Sequence, residues 1–242
     1  ARVRRIYDER GNEIEQAYFG TDDKPVISKD GVARVISVFD DRGKLIEQAY
    51  SGTDGKPVLQ INGYARIRWR VDARGNVIDQ EHFGIEGKPV LSKNGIARVT
   101  RVYDDEGNTV EEAFFGTDGK PVLSKNGFAR TRWRFDSNGN KIEWACFGIE
   151  GEPVLSKKGF SRVTSVYDDR GNKVEEAFFG RDGEPVLSIN GYARIRWRID
   201  VRGNLIEQAY FGIEGKPVLS KRGIARVIST FDDRGNMVEQ AF

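Results

Sequence analysis

One cysteine and one histidine, Cys146 and His82, occur in 242 residues. A lone cysteine forms no intramolecular disulfide, and the two together supply neither a cysteine cluster nor a multi-histidine site for a metal or for catalysis. No apolar run approaches the length of a membrane span. The segment does not open with a signal peptide, and its first residue is Ala rather than Met, so targeting signals outside the segment remain open. A dominant charge sign is missing too. Lys and Arg number 39 against 37 Asp and Glu, a net charge of +2. Such interleaving suits a long solvated surface better than a phosphate-binding one.

What the chain does have is punctuation. Stepping by 32 from Ala1 meets Ala33, Ala65, Ala97, Ala129, Ser161, Ala193 and Ala225. In that register position 11 is glycine in every copy, from Gly11 to Gly235. The other glycines fall at positions 20, 23 or 31, and all seven prolines at position 25, from Pro25 to Pro217. The chain is therefore one array of seven full copies (1–32, 33–64, 65–96, 97–128, 129–160, 161–192, 193–224) and a partial eighth, 225–242. No linker separates them.

Glycine and Asx clusters cut each copy into stretches too short for helices. In the fourth copy, ARVTRVYD and NTVEEAFF alternate and are rich in β-formers, and PVLS reads as a third, shorter strand with proline at its end. Positions 3, 7, 14 and 18 carry Val99, Tyr103, Val110 and Phe114. They share one face if 7 lies opposite 14 and 3 opposite 18. That parity implies an even-numbered hairpin loop, four residues around Asp105 to Asn108. The same register sets Trp133 opposite Trp144, and Arg70, Arg134 and Arg198 opposite Asp79, Glu143 and Glu207.

From the second copy on, two types alternate, giving a 64-residue super-repeat: RVxSVYDDRG…TDGKPV and RxRWRxD…GIEGKPV. Three strands per copy would reverse the meander at each copy and so explain the alternation. One copy offers about six large apolar side chains, too few to offset the ordering of its backbone, so neighbours must stack. Both ends of the segment lack a polar cap, so the array is expected to continue in a longer chain or to dock end to end.

The motifs YDDRGN (Tyr167 to Asn172), FDSNGN (Phe135 to Asn140) and FGTDGKPV (Phe115 to Val122) resemble those of bacterial β-hairpin repeat proteins: MORN-like, YD-type and cell-wall-binding-type repeats. The period of 32 is longer than in MORN or cell-wall repeats. The resemblance implies an architecture and a non-catalytic role, with a cytoplasmic or bacterial cell-surface location left open.

Carboxylates recur at positions 8 and 15 in every copy, whereas an active site is singular. They read as turn caps and cross-strand partners. Cys146 and His82 occupy position 18, an aromatic row elsewhere, and read as core substitutions without a catalytic partner. The acidic spacing of a calcium loop is absent. No catalytic, cofactor or metal residues are assigned. Position 2 is Arg in all eight copies, and alternate copies add more, giving Arg66, Arg68, Arg70, Arg130, Arg132, Arg134, Arg194, Arg196 and Arg198 as a candidate interaction surface. A salt-bridge ladder is the bland reading of these rows.

The expectation is an all-β protein whose tandem 32-residue repeats form an antiparallel β-hairpin solenoid or superhelical array, with a closed propeller-like ring as the alternative. Its expected function is a non-enzymatic scaffold for protein–protein interaction or self-assembly, with a cell-surface glycan-binding or other ligand-binding module as the alternative. The expected partner is a protein or another copy of the chain, and nucleic acid is not expected.

Overall fold

A computed structural model describes residues 2–242, which form strands and turns without a helix; Ala1 lies outside the described residues. The chain divides into two compact units, Ala1–Lys125 and Asn126–Phe242. The first holds β1 (Arg2–Tyr7), β2 (Glu13–Phe19), β3 (Arg34–Phe39), β4 (Leu45–Ser51), β5 (Arg66–Val71), β6 (Val77–Phe83), β7 (Arg98–Tyr103) and β8 (Thr109–Phe115). The second holds β9 (Arg130–Phe135), β10 (Lys141–Phe147), β11 (Arg162–Tyr167), β12 (Lys173–Phe179), β13 (Arg194–Ile199), β14 (Leu205–Phe211), β15 (Arg226–Phe231) and β16 (Met237–Ala241). Within each unit the strands follow in sequence order as an antiparallel meander, and the last does not return to the first. Each unit is thus an open, solenoid-like array of hairpins, and the ring alternative falls.

Each copy contributes two strands, not three. The PVLS segment makes one isolated bridge per copy, such as Phe115↔Pro121, and one further bond from Val122 N–H to the Phe114 carbonyl. Proline has no N–H to extend a ladder, and the residue two places on, Leu123, turns outward and is 49% exposed. With two strands per copy every copy enters in the same direction. Strand reversal therefore does not account for the 64-residue alternation.

The hairpin register corrects a second expectation. Val99 faces Phe114, Trp133 faces Trp144 and Arg70 faces Asp79, as the parity required. The loop, however, has three residues. Asp104 N–H donates to the Asn108 carbonyl at 3.0 Å, Gly107 N–H donates back to the Asp104 carbonyl, and Gly107 sits at φ +87. That left-handed conformation is costly for a residue with a Cβ. On its own, an odd loop would put the two strands' apolar residues on opposite faces. A β-bulge one pair further in restores the parity: Val102 faces Glu111 but Tyr103 faces Thr109, leaving Val110 as the extra residue. Two irregularities cancel.

The turn is held by its own side chains. In the sixth copy Asp168 Oδ1 accepts the N–H groups of Arg170 and Asn172, and Oδ2 accepts the Asn172 side-chain amide. The Asn172 bonds, side chain first, hold the Asp168 carboxyl below the usual carboxylate range. Between copies the ladder is short, three pairs such as Glu15↔Ile36 to Ala17↔Arg34. Bonds at both ends of the hairpins extend it. At one end a turn arginine reaches the next turn: the guanidinium of Arg42 donates to the Ala73 carbonyl, and that of Arg170 to the Val201 carbonyl. At the other, Ile61 N–H donates to the Asp30 carbonyl and Lys93 N–H to the Asn62 carbonyl.

Most of the large enclosed side chains lie on one face of the sheet. Positions 3, 18 and 32 carry the enclosed side chains, among them Ile67, Val99, Phe114, Phe160, Phe178 and Ile195, all at most 7% exposed. Within each unit no second sheet or helix covers either face among the described residues.

Candidate interaction surfaces

Within each unit both faces of the sheet meet solvent, and each carries a different chemistry. On the outer face stand positions 2, 4, 6, 15, 17 and 19, which hold all nine candidate arginines. Arg68 donates twice to Glu47, the carboxylate of the preceding copy. Arg70 reaches Asp79 at 3.2 Å, while Arg98 from the next copy grips the same carboxylate at 2.8 and 2.5 Å. Arg194 and Arg196 both reach Glu175, and Arg198 and Arg226 both reach Glu207. Arg134 stands opposite Glu143, whose carboxylate accepts from Arg162. Arg66, Arg132 and Arg196 also lie over the rings of Phe83, Phe147 and Phe211. Arg130 lies at the start of β9, opposite Phe147.

These rows form a ladder of ion pairs, yet they are far from hidden. The Arg70 and Arg198 side chains are 68% and 70% exposed. Surface pairs of this kind contribute about 0.2–1 kcal/mol each. Asp79, only 6% exposed and held by two arginines, is the tightest of them. Val38, Val102 and Val166, 44 to 52% exposed, occupy position 6 in three of the five copies that lack arginine there.

On the other face the aromatic rings stack along the array. In the second unit they run Phe128, Trp144, Phe160, Phe178, Tyr192, Tyr210, with centroids 4.7 to 5.9 Å apart. Positions 32 and 18 alternate in this row, except that Trp144 comes from position 16. It takes the place of the ring that Cys146 lacks, and Cys146 lies beneath at 0% exposure. Burial pushes the Cys146 thiol up to about 11, so it is a poor nucleophile. In the first unit His82 stacks on Tyr64 at 4.5 Å, its Nδ1 bonded to the Ile96 carbonyl, and burial pushes its pKa down. Both residues are core members of the aromatic row. Among the described residues no three His, Cys, Asp or Glu side chains converge on a metal-sized site.

This face also holds a groove of about 620 Å³ in the second unit, lined by Trp144, Phe160, Tyr192, Ser165, Lys173 and Glu176 among others. Lys141, Lys157 and Lys158 rim it. Sequence reading missed these lysines. The signal was there, since position 13 is Lys only in Lys141 and Lys173, but a surface lysine is unremarked in a chain so rich in charge.

Sheet and surfaces together define a β-hairpin repeat array. No protein-family model and no curated protein matches the chain. Among solved structures it is similar to a TccC3 mutant of the Photorhabdus luminescens Tc holotoxin pore, at 11% identity over 95% of this chain and 13% of that one, with a TM-score of 0.38. It is also similar to TcdB2-TccC3-TEV, at 13% identity over 98% of this chain and 13% of that one, TM-score 0.38. A third likeness, to TcdB2-TccC3, has 14% identity over 98% and 14% of the two chains, TM-score 0.27. The chain spans roughly one eighth of those chains, and likenesses this distant carry no functional argument. No helix among the described residues is long and apolar enough to cross a membrane.

Proposed function

We propose that the chain is a non-enzymatic repeat scaffold for protein–protein interaction, with an acidic protein surface docking on its arginine-bearing face. The observation that carries this is an uncovered sheet face with surplus positive charge. The outer face of the second and third copies carries Arg34, Arg66, Arg68 and Arg70 against Glu47, Asp79 and Glu81; that of the sixth and seventh carries Arg162, Arg194, Arg196 and Arg198 against Glu175 and Glu207. Exposed valines lie between them, so a partner with mixed acidic and apolar character is matched. The position-15 carboxylates Glu15, Glu47, Asp79, Glu143, Glu175 and Glu207 each pair with an arginine of this ladder.

Glycan binding is less well supported, because the rings are spent on one another. Phe160 and Phe178 are 7% and 6% exposed, so they offer no platform on which a sugar could stack. Calorimetric titration with polyglutamate and with a neutral chitin oligosaccharide separates the readings. Salt-sensitive binding of polyglutamate, weakened when Arg70, Arg134 and Arg198 become Gln, is expected. Those three are chosen because Asp79, Glu143 and Glu207 each retain a second arginine. Saturable binding of the neutral oligosaccharide with none of polyglutamate would replace the scaffold by the glycan-binding module.

A further inference from the structure

In a periodic array the structure is satisfied by the consensus, so a departure from it that changes chemistry calls for a local cause. Such departures occur in the third copy, with Asp79, Glu81 and His82, and again in the fifth and sixth. Position 13 is Lys only at Lys141 and Lys173; position 30 is Lys only at Lys158, where four other copies have Asn. Position 16 is Trp only at Trp144, position 18 Cys only at Cys146, and position 3 Thr only at Thr131.

Four residues of the later group share one surface. Lys141, Lys158, Trp144 and Lys173 all line the same 620 Å³ groove. Thr131 and Cys146 face each other in β9 and β10, at 2% and 0% exposure. The small Thr131 and Cys146 make room for Trp144 to move into the ring row, and Ser165 keeps the adjoining wall low. The volume lies within the range of ordinary ligand sites.

We infer that this groove is a binding site for an acidic peptide segment with an apolar anchor, a second contact made by the partner of the proposed scaffold, and to that extent it rests on that reading. Charge selects the peptide. Lys173 is neutralised by Glu176 at 2.9 Å, but Lys141, Lys157 and Lys158 have no ion-pair partner among the described residues and are exposed. Lys141 also lies over the rings of Trp133 and Phe135, at 5.3 and 5.8 Å, but none of the three ammonium groups is paired with a carboxylate among the described residues; around an aromatic wall they favour carboxylates flanking an apolar side chain. Ring geometry disfavours an anionic glycan. Trp144 stands edge-on to Phe128 and Phe160, at 76° and 82°, and Phe160 and Phe178 are enclosed.

The probe is a short fluorescein-labelled peptide with a central Phe–Leu pair between runs of glutamate, titrated into the full chain by fluorescence anisotropy at moderate salt. Saturable binding in the micromolar range is expected. Lys141→Glu with Lys158→Glu should weaken it about ten-fold or more; both side chains are exposed, so the fold is retained. Lys216→Glu with Lys221→Glu, an equal charge change outside the groove, should leave it unchanged, as should the Gln variants of Arg70, Arg134 and Arg198. No saturation, or equal affinity in the Lys141/Lys158 variant, overturns the site. Stronger binding of a heparin oligosaccharide that displaces the peptide overturns the choice of ligand. Loss in the arginine variants with none in the lysine variant assigns the peptide to the outer face, which ends the groove and leaves the scaffold standing.

Discussion

Trp144 and Cys146 stand as one exchanged pair, and a double-mutant cycle tests that. Replacing Trp144 by Gln, the residue at this position in the third and seventh copies, removes two edge-on ring contacts, to Phe128 at 5.7 Å and Phe160 at 5.8 Å. Each such pair contributes about 0.5–1.5 kcal/mol, and the half-buried indole loses part of its apolar transfer energy besides, roughly 1 kcal/mol. The single change should cost about 2–4 kcal/mol. Replacing Cys146 by Tyr alone drives a ring into a site that Trp144 already fills, an overpacking cost of about 1–3 kcal/mol.

Made together, the two changes recreate the arrangement of the seventh copy, where Tyr210 sits at position 18, stacks on Tyr192 and accepts a hydrogen bond from Gln208. The double variant should therefore recover most of both losses, with a coupling of about 2 kcal/mol or more. Urea unfolding followed by circular dichroism, which does not depend on the tryptophan removed, reports all four corners of the cycle. Simple additivity would show that Trp144 does not occupy the missing ring's place, and would remove the reason given for the buried cysteine.

Three further outcomes are expected. Val99→Lys, which buries an unpaired charge at a site 6% exposed, should cost about 3 kcal/mol or more, whereas Val102→Lys, at 52% exposed, should stay within about 0.5 kcal/mol, as read by denaturant midpoints. Asp23 is the one non-glycine residue at positive φ (57°) among those described, at a position where every other full copy has glycine. Asp23→Gly should raise stability by about 0.5 kcal/mol, measured by thermal unfolding. Burial depresses the folded pKa of His82 below 6.5, against the opposing pull of its bond to Ile96, so its contribution is fully present above pH 6.5 and is lost as pH falls through the folded value. His82→Tyr should flatten the stability profile between pH 7.5 and 5, and an unchanged slope would refute the assignment.

The periodic glycines and prolines made the array, its β class and the pairings Trp133–Trp144 and Arg70–Asp79 legible from residues alone. Loop class was not, although Gly107 marks it. Parity was counted through Val110 as if alternation were unbroken, and a bulge is invisible to such counting because the extra residue is itself apolar. PVLS looked like a strand because its composition is right, but a strand needs a donor at alternate residues and proline withholds one. The arginine at position 10, seen in Arg10, Arg42, Arg74, Arg170, Arg202 and Arg234, reads as ordinary turn chemistry. Its reach to a carbonyl 31 residues on appears only when the turns are stacked.

The 64-residue alternation has its account in side-chain reach. The carboxylate of the third copy, Asp79, lies between its own Arg70 and Arg98 of the next copy. That of the second copy, Glu47, has Val38 opposite it and receives Arg68 from the third. The sixth and seventh copies repeat this: Glu175 has Val166 opposite and receives Arg196, while Glu207 lies between Arg198 and Arg226. An arginine-rich copy therefore serves the acid behind it as well as its own, and the copy between needs arginine only at position 2. The first copy fits the rule at its junction, since Glu15 is taken by Arg34, although Ile6 stands where an arginine would be. Isoleucine at Ile85, Ile149 and Ile213, where the other copies have Thr or Arg, is not explained by this network. The alternation at positions 4 and 6 is then a property of paired copies, and the smallest unit that satisfies the outer-face charges is two hairpins rather than one.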